Sequence, residues 1–504
     1  MKKILYAFSL VLALGFASCT SYLDINTDPN SPAAENISIS MILPGAEMNI
    51  ASSYGDYLRI TGGYFSQLYA HEYGTSNYVD YSQFEQSATR SSSCYSQIYQ
   101  RGLNNLKTIQ EKATAEEEWG SYLAATVLRC FALQALVDCY GELPYSEALD
   151  DANLSPKYDE GKDIYAGLLD ELDFALGKVS GGETVGTNFL LPNKTAASWI
   201  QFANALKLRI LMRESGAVDV SNELDILVAE NNFPTSDIAM EGCWTQASGQ
   251  ESPFYAEEFS TLGGSTQINV IANMALINTM QQKDGDGNVV FFDNRLKAFF
   301  ETNGSGNYVG SISGDNLSNA DAPLSTTAYW CRPVASYDMP VYFITVAETE
   351  FFLAEYYAKK NEASNAEAHY NAAVEASFES AGVDGAATVL AKYPYEQSNY
   401  QKVIGIAKWV ALAGFDPFQC YCEVRRLGYP AFGSLTGDEM YSGSGTFKNE
   451  DSYVPGTLYT PFKVFSLVGK NQLLQRWPYP ESSSSRNSST PEFKGYTTPI
   501  FWAE

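Results

Sequence analysis

Two lysines, Lys2 and Lys3, precede an apolar run from Ile4 to Phe16, and the small pair Ala17-Ser18 closes it. Crossing a bilayer takes roughly 20 apolar residues, so this run is too short to do so. A basic start, a short apolar middle and small residues before a cut predict an export signal peptide over residues 1–18. Cys19, directly after the cut, predicts lipid attachment; an ordinary secretory signal with an incidental cysteine is the alternative. One acyl chain anchors weakly, at about 0.8 kcal/mol per buried CH₂, and a lipidated N-terminal cysteine carries more than one. From Thr20 to Pro32 the chain is polar, with Asp28-Pro29-Asn30 and Ser31-Pro32 disfavouring regular structure. Residues 19–35 therefore read as a lipidated cysteine with a flexible tether, and residues 36–504 as a single body.

Beyond the tether, apolar residues recur at helical spacing. Trp119, Leu123, Val127, Cys130 and Val137 follow the acidic triplet Glu116 to Glu118, whose carboxylates suit a helix N-terminus. That pattern stops near Gly141. Ile164, Leu168, Leu172, Leu176 and Val179 make a second stripe, ending in Gly181-Gly182. Trp199, Phe202, Leu206 and Ile210 make a third, with Lys207, Arg209 and Arg213 expected to be offset toward solvent or acidic neighbours. Further on, Ile344, Ala347, Phe351, Ala354 and Ala358 share one face, Asn361 to Asn365 turn the chain, and Ala366, Tyr370 and Ala373 continue in a second helix. Such a pair resembles a tetratricopeptide unit of about 34 residues. Trp409 and Val410 lie in a helix ending at Gly414; Asp416 caps the next, Pro417 takes its first position, and Gln419 completes a capping-box-like arrangement. Between the helical blocks lie Tyr64 to Ser87, Gly242 to Pro340 and Gly433 to Glu504, rich in Gly, Ser, Asn and aromatics. Loops this long are usually functional, so the helices read as scaffold and the loops as the working surface.

Composition narrows the partners. The formal charge of −27 becomes −29 once Lys2 and Lys3 leave with the signal. Binding phosphates needs clustered Lys and Arg, which this chain lacks, so nucleic acid is excluded as a partner. The length of 504 residues suggests about three domains, but hydrophobic residues spread along the whole chain suit one continuous body equally well. After Cys19, Cys94, Cys130, Cys139, Cys243, Cys331, Cys420 and Cys422 show no CxxC spacing, which indicates neither a zinc site nor a full disulfide framework. His71 and His369 are the two histidines, too few for an imidazole-based metal centre. No cofactor is expected.

Seven stretches then fall into a known order. Cys19 with SYLDINTDPNSP, LVDCYGELPYSEAL (Leu136 to Leu149), WIQFANALKLRILMR (Trp199 to Arg213), DNRLKAFF (Asp293 to Phe300), AETEFFLAE (Ala347 to Glu355), VRRLGYP (Val424 to Pro430) and RWPYPESSSSRN (Arg476 to Asn487) together resemble the SusD/RagB family of nutrient-binding outer-membrane lipoproteins. The resemblance implies a mostly α SusD-like fold, with about four tetratricopeptide-like helix pairs supporting a long irregular loop-rich face with a few short strands. It also implies a lipid anchor in the outer membrane facing the exterior, and a SusC-like, TonB-dependent outer-membrane transporter as partner. The cargo would be an oligosaccharide or a peptide. Two positions depart from the family pattern: Phe16 replaces the usual Leu of the lipidation signal, and the acidic cluster after the lipidated cysteine is reduced to Asp24.

Catalytic arrangements are missing. His71-Glu72 begins like a zinc-protease motif but has Thr75 where the second His belongs. Asp284, Asp286 and Asn288 mimic the first ligands of a calcium loop, but Val289 and Arg295 occupy the positions that need Gly and Glu, so a tight turn is expected. What remains suits binding: a sugar's C–H face stacks on aromatic rings, and its hydroxyls need polar partners once desolvated. Tyr69, His71, Tyr73, Asn77, Tyr78 and Tyr81 form one candidate loop, and Tyr308, Tyr329, Trp330 and Arg332, with Trp244, form another. Core packing or a transporter contact is the alternative for each. Trp119, Trp199, Trp409 and Trp477 are expected in the core, and Arg425, Arg426, Glu348 and Glu355 in structural roles. A surface glycosidase or peptidase, and a purely structural tetratricopeptide adaptor, are the competing readings.

Overall fold

Helix α1 (Ile39–Ser53) begins the computed structural model, which describes residues 37–72, 75–150, 152–262, 269–314, 330–440 and 452–503. The signal, Cys19, the tether, Tyr73 and Tyr329 lie outside the described residues. A π-helical turn, Tyr54–Leu58, carries α1 directly into α2 (Arg59–Phe65). A second π-helical stretch, Gln97–Leu103, leads into α3 (Asn104–Glu116), and two residues then separate α3 from α4 (Trp119–Tyr140). The helix α4 ends where the sequence places its stop: Gly141 sits at φ +84°, a left-handed conformation that glycine adopts without steric cost. The next pair is α5 (Gly161–Leu176) with α6 (Ala196–Glu214). After the long central region come α7 (Val346–Lys359) with α8 (Ala363–Ala381), and α9 (Tyr400–Leu412) with α10 (Pro417–Leu427). Each pair packs together, α4 also packs on α5 and α6, and α7 packs on α9.

Caps fix the starts of the later helices. Thr345 Oγ1 accepts from the Glu348 N–H at 3.0 Å to begin α7. Asp416 accepts from the Gln419 N–H at 3.2 Å to begin α10, with Pro417 at its first position, as the sequence predicts. Ile344, in contrast, leaves the predicted stripe and ends a strand, Val341–Ile344. Among the described residues strands pair only in twos. Two pairs matter below: β1 (Tyr69–His71) with β2 (Val270–Ala272), and β3 (Gln281–Lys283) with β4 (Val289–Phe292), both antiparallel. The β3–β4 connection is the calcium-like stretch, and it is the expected turn: Asp284 Oδ1 accepts from the backbone of Asp286 and Asn288, while Gly287 takes φ +84°.

One apolar core runs from Ile39 to Trp502, and a smaller one lies between α7, α8 and α9 around Phe351, Tyr370 and Phe378. The α4 helix is long and apolar enough to cross a membrane, but it is buried along nearly its whole length as a core helix. Trp199, Trp409 and Trp477 are buried as expected, whereas Trp119 is half-buried, with the Lys178 ammonium 5.0 Å from its ring. The seven cysteines after Cys19 are free thiols.

The arginines of the third stripe do not reach solvent. Arg209 Nη2 meets Glu348 Oε2 at 2.6 Å and also donates to the Phe343 carbonyl. Arg213, fully buried, donates to Asp138 at 2.6 Å, Gln419 at 2.6 Å and Glu423 at 2.9 Å. Lys408 and Arg426 complete Glu423, and Arg426 also pairs with Glu355. Ionised groups are tolerated at this depth only when paired and hydrogen-bonded, and this network ties α4, α6, α7, α9 and α10 together. Lys207 does behave as expected, pairing with Asp173 near the surface.

Candidate functional site

The two predicted binding segments do meet. Strand β1 carries Ala70 and strand β2 carries Ile271, and Trp330 packs against both, with Val309 beside it. The Cys331 carbonyl accepts from the Ala272 N–H at 2.8 Å and its N–H donates to Val309, which fixes the neighbouring Arg332 next to the sheet. Arg332 Nη2 lies 3.4 Å from Glu72 Oε2, across 260 residues of sequence. Tyr308 is half-buried, its ring 5.6 Å from that of Phe292, and Asn77 is exposed. Arg332, Tyr308 and Asn77 thus keep reachable polar or aromatic groups, with Trp330 almost covered.

The tyrosines of the first segment lie deeper. Tyr69 is 1% exposed, stacked on Phe254 at 6.1 Å and edge-on to Tyr64. Tyr78 stacks on Tyr81 at 5.4 Å, and Tyr81 packs against Phe65 and Tyr57. Burial pushes the His71 imidazole down to about 4, so it is neutral at ordinary pH. These four side chains are therefore packing groups: β1 is paired on its sheet and Val79–Ser82 forms a helical turn, which together draw the rings inward. The expectation of direct ligand contact is corrected for Tyr69, His71, Tyr78 and Tyr81. Trp244 is also buried, its indole N–H donating to the Met240 carbonyl at 3.1 Å.

A cleft that sequence reading missed lies beside this tyrosine cluster. It holds about 330 Å³ between the C-terminal end of α1, the Ser92–Leu103 helical segment and the chain around Trp244 to Glu257. Asp56, Tyr57, Gln97, Glu251 and Glu257 contribute polar groups, and no Lys, Arg or His lines it. The Tyr78 hydroxyl donates to Glu257 at 3.4 Å, joining the cleft to the predicted loop. Both π-helical segments supply lining residues, Asp56 and Tyr57 from one and Gln97 from the other; such turns recur at functional sites. The signal was present as helix-embedded acids, but helical periodicity alone gives a π turn no mark. A second cleft, of about 260 Å³, opens between β4, α8 and α9, walled by Phe291, Tyr370, Tyr393 and Lys402. Among the described residues no group of three or more His, Cys, Asp or Glu side chains is placed to hold a metal ion.

Comparison with known proteins places this architecture. Residues 29–445 match a SusD-like family model described as starch-binding and associating with the outer membrane. No curated protein matches. Solved structures do: a SusD homologue from Bacteroides uniformis superposes with a TM-score of 0.72 at 20% identity, covering 94% of this chain and 100% of that one. A protein described as chitin-binding gives 0.68 at 19% identity, covering 93% and 100%. A chitin-binding SusD homologue from Flavobacterium johnsoniae gives 0.66 at 17% identity, covering 92% and 96%.

Proposed function

The chain belongs to the SusD-like family, and from that premise we propose that it is a surface lipoprotein of the outer membrane that captures oligosaccharides and passes them to a SusC-like, TonB-dependent transporter. Capture proceeds without cleavage. The anchor is Cys19, lipidated after removal of residues 1–18, and residues 36–504 act as a single receptor body. The observation that carries the reading is the joining of distant loops at the β1–β2 edge, where Trp330 packs on both strands and Arg332 meets Glu72, with Tyr308 next in sequence to the Val309 that packs beside Trp330. Arg332 offers donors to sugar hydroxyls, Tyr308 offers a ring for a sugar's C–H face, and Asn77 offers both donor and acceptor. Tyr73 and Tyr329, adjacent in sequence to these groups, belong to the same proposed surface. Saccharide is favoured over peptide because two similar folds are described as chitin-binding.

Affinity electrophoresis or calorimetry of the full chain against neutral glycans tests the reading. Arg332→Ala and Tyr308→Ala are each expected to weaken binding of the recognised glycan about tenfold, the loss of one charge-assisted hydrogen bond or one stacking contact. No binding to any glycan in a broad panel, or unchanged affinity in both variants, would reject it. For the anchor, Cys19→Ala is expected to abolish incorporation of radiolabelled palmitate and release the protein from membranes. Undiminished labelling would place the lipid elsewhere.

A further inference from the structure

The acidic cleft beside the tyrosine cluster has features that packing does not account for. The Asp56 carboxyl accepts no hydrogen bond and forms no ion pair among the described residues. Ser53 is 4% exposed and lines the same cavity, and its Oγ has no nitrogen or oxygen partner, only the weakly bonding Cys94 thiol beside it. A buried hydroxyl without a strong partner costs free energy, so its persistence on a cavity wall points to a group that enters from outside. Glu257 is exposed at the mouth, and Glu251 is buried, accepting from the Ser260 hydroxyl. Ser52, Ser93 and Gln97 add uncharged donors and acceptors, and the half-buried ring of Tyr57 adds a flat face.

We infer that this cleft binds a saccharide bearing a protonated amine, with Asp56 and Glu257 receiving the ammonium group and Ser53, Ser93 and Gln97 receiving hydroxyls. Three carboxylates with no basic side chain among the lining residues select a cation. Among the described residues no group of three or more His, Cys, Asp or Glu side chains is placed to hold a metal ion, which favours an organic cation here. The hydroxyl and amide lining, beside an aromatic ring, favours a sugar over the aliphatic stem of a lysine. Burial and the neighbouring Glu257 and Glu258 carboxylates hold the Asp56 carboxyl well above its usual range. An ammonium group bound there displaces the Asp56 proton, which costs affinity at low pH, so binding strengthens as pH rises for as long as the amine stays charged. The inference deepens the capture reading by naming a ligand class, but its site is separate from the Arg332 face.

Calorimetry of the full chain at pH 6, with glucosamine oligomers, N-acetylglucosamine oligomers of equal length and lysine oligomers, tests it. The free-amine sugar is expected to bind at least about tenfold more tightly than its acetylated counterpart, and Asp56→Asn or Glu257→Gln to remove that preference. Glu257 is exposed, so its variant folds even where the Asp56 variant does not. Equal affinity for the two sugars, a preference retained in Glu257→Gln, or lysine oligomers binding as tightly as the amino sugar would each overturn the inference. Neutral glycans report on the Arg332 face, so failure of that reading leaves this result interpretable, and the reverse also holds.

Discussion

Replacing Arg213 with Met removes the centre of the buried ionic network and leaves its shape nearly intact. The network sets three buried cations, Arg213, Lys408 and Arg426, against Asp138, Glu423 and Glu355, with the more exposed Lys359 also pairing with Glu355. After the change Glu423 still has Lys408 and Arg426, but Asp138 loses its one ion-pair partner among the described residues. Asp138 keeps hydrogen bonds on Oδ1 from the Tyr165 hydroxyl at 2.5 Å and the Trp502 indole at 2.9 Å, so the loss is mainly of charge compensation. Leaving one buried charge unpaired costs about 3–5 kcal/mol. Arg213→Lys restores a point charge without the fork that reaches Asp138, Gln419 and Glu423 together, and is expected to recover about half of that loss. Asp138→Asn combined with Arg213→Met removes the orphaned charge, so the double variant is expected to fall short of the summed single losses by about 1–3 kcal/mol. Urea denaturation followed by tryptophan emission measures all four proteins, with Trp502 5.6 Å from the guanidinium as a local reporter. An Arg213→Met loss below about 1 kcal/mol, or strict additivity in the double variant, would refute the claim that charge balance holds these helices together.

Acid should act through His71. Its folded pKa of about 4 lies below the unfolded value of about 6.5, so the unfolded chain takes up the proton first and stability falls as pH drops from about 6.5 toward 4, by up to about 1.4 kcal/mol per unit. His71→Gln lacks that component, so the stability difference between wild type and variant should shift by this slope across that window in denaturation curves, and stay flat above it. At Gly62 a Cβ would lie 2.4 Å from the Phe418 Cα, where α2 crosses α10, so Gly62→Ala is expected to lose about 3 kcal/mol by overpacking. Gly45→Ala, with nothing within 4 Å in mid-helix, should instead gain about 0.5–1 kcal/mol in the same melting assay.

The helices were legible because their ends are written locally. The acidic triplet and Gly141 bracket α4, and Asp416-Pro417 with Gln419 begins α10, each within a few residues of the observed boundary. Depth was less legible. Phe202, Leu206, Arg209 and Arg213 share one face at spacings of four, three and four, so the arginines lie on the apolar stripe itself. Of the two expected outcomes, solvent or acidic neighbours, the arginines take the second, inside the core; Glu348 and Glu355, two turns apart on α7, were the available signal that acids would follow them there.

The proposed binding surface was least legible, because its contacts are assembled across the chain. Glu72 meets Arg332 over 260 residues, and Tyr78 meets Glu257 over 179. Tyrosines close together in sequence suggested a platform, yet a dense aromatic run is also the cheapest way to make a loop rigid, since each ring buries much area with few rotatable bonds. Tyr64, Tyr78 and Tyr81 pack on one another, and among the described residues of the loop Ser76 and Asn77 are exposed while the Tyr78 hydroxyl reaches Glu257. In the proposed capture surface their role is support, with the Tyr78 hydroxyl held on Glu257. A surface built on such a support can exchange its rim residues, and so its cargo, without disturbing the helix pairs below it.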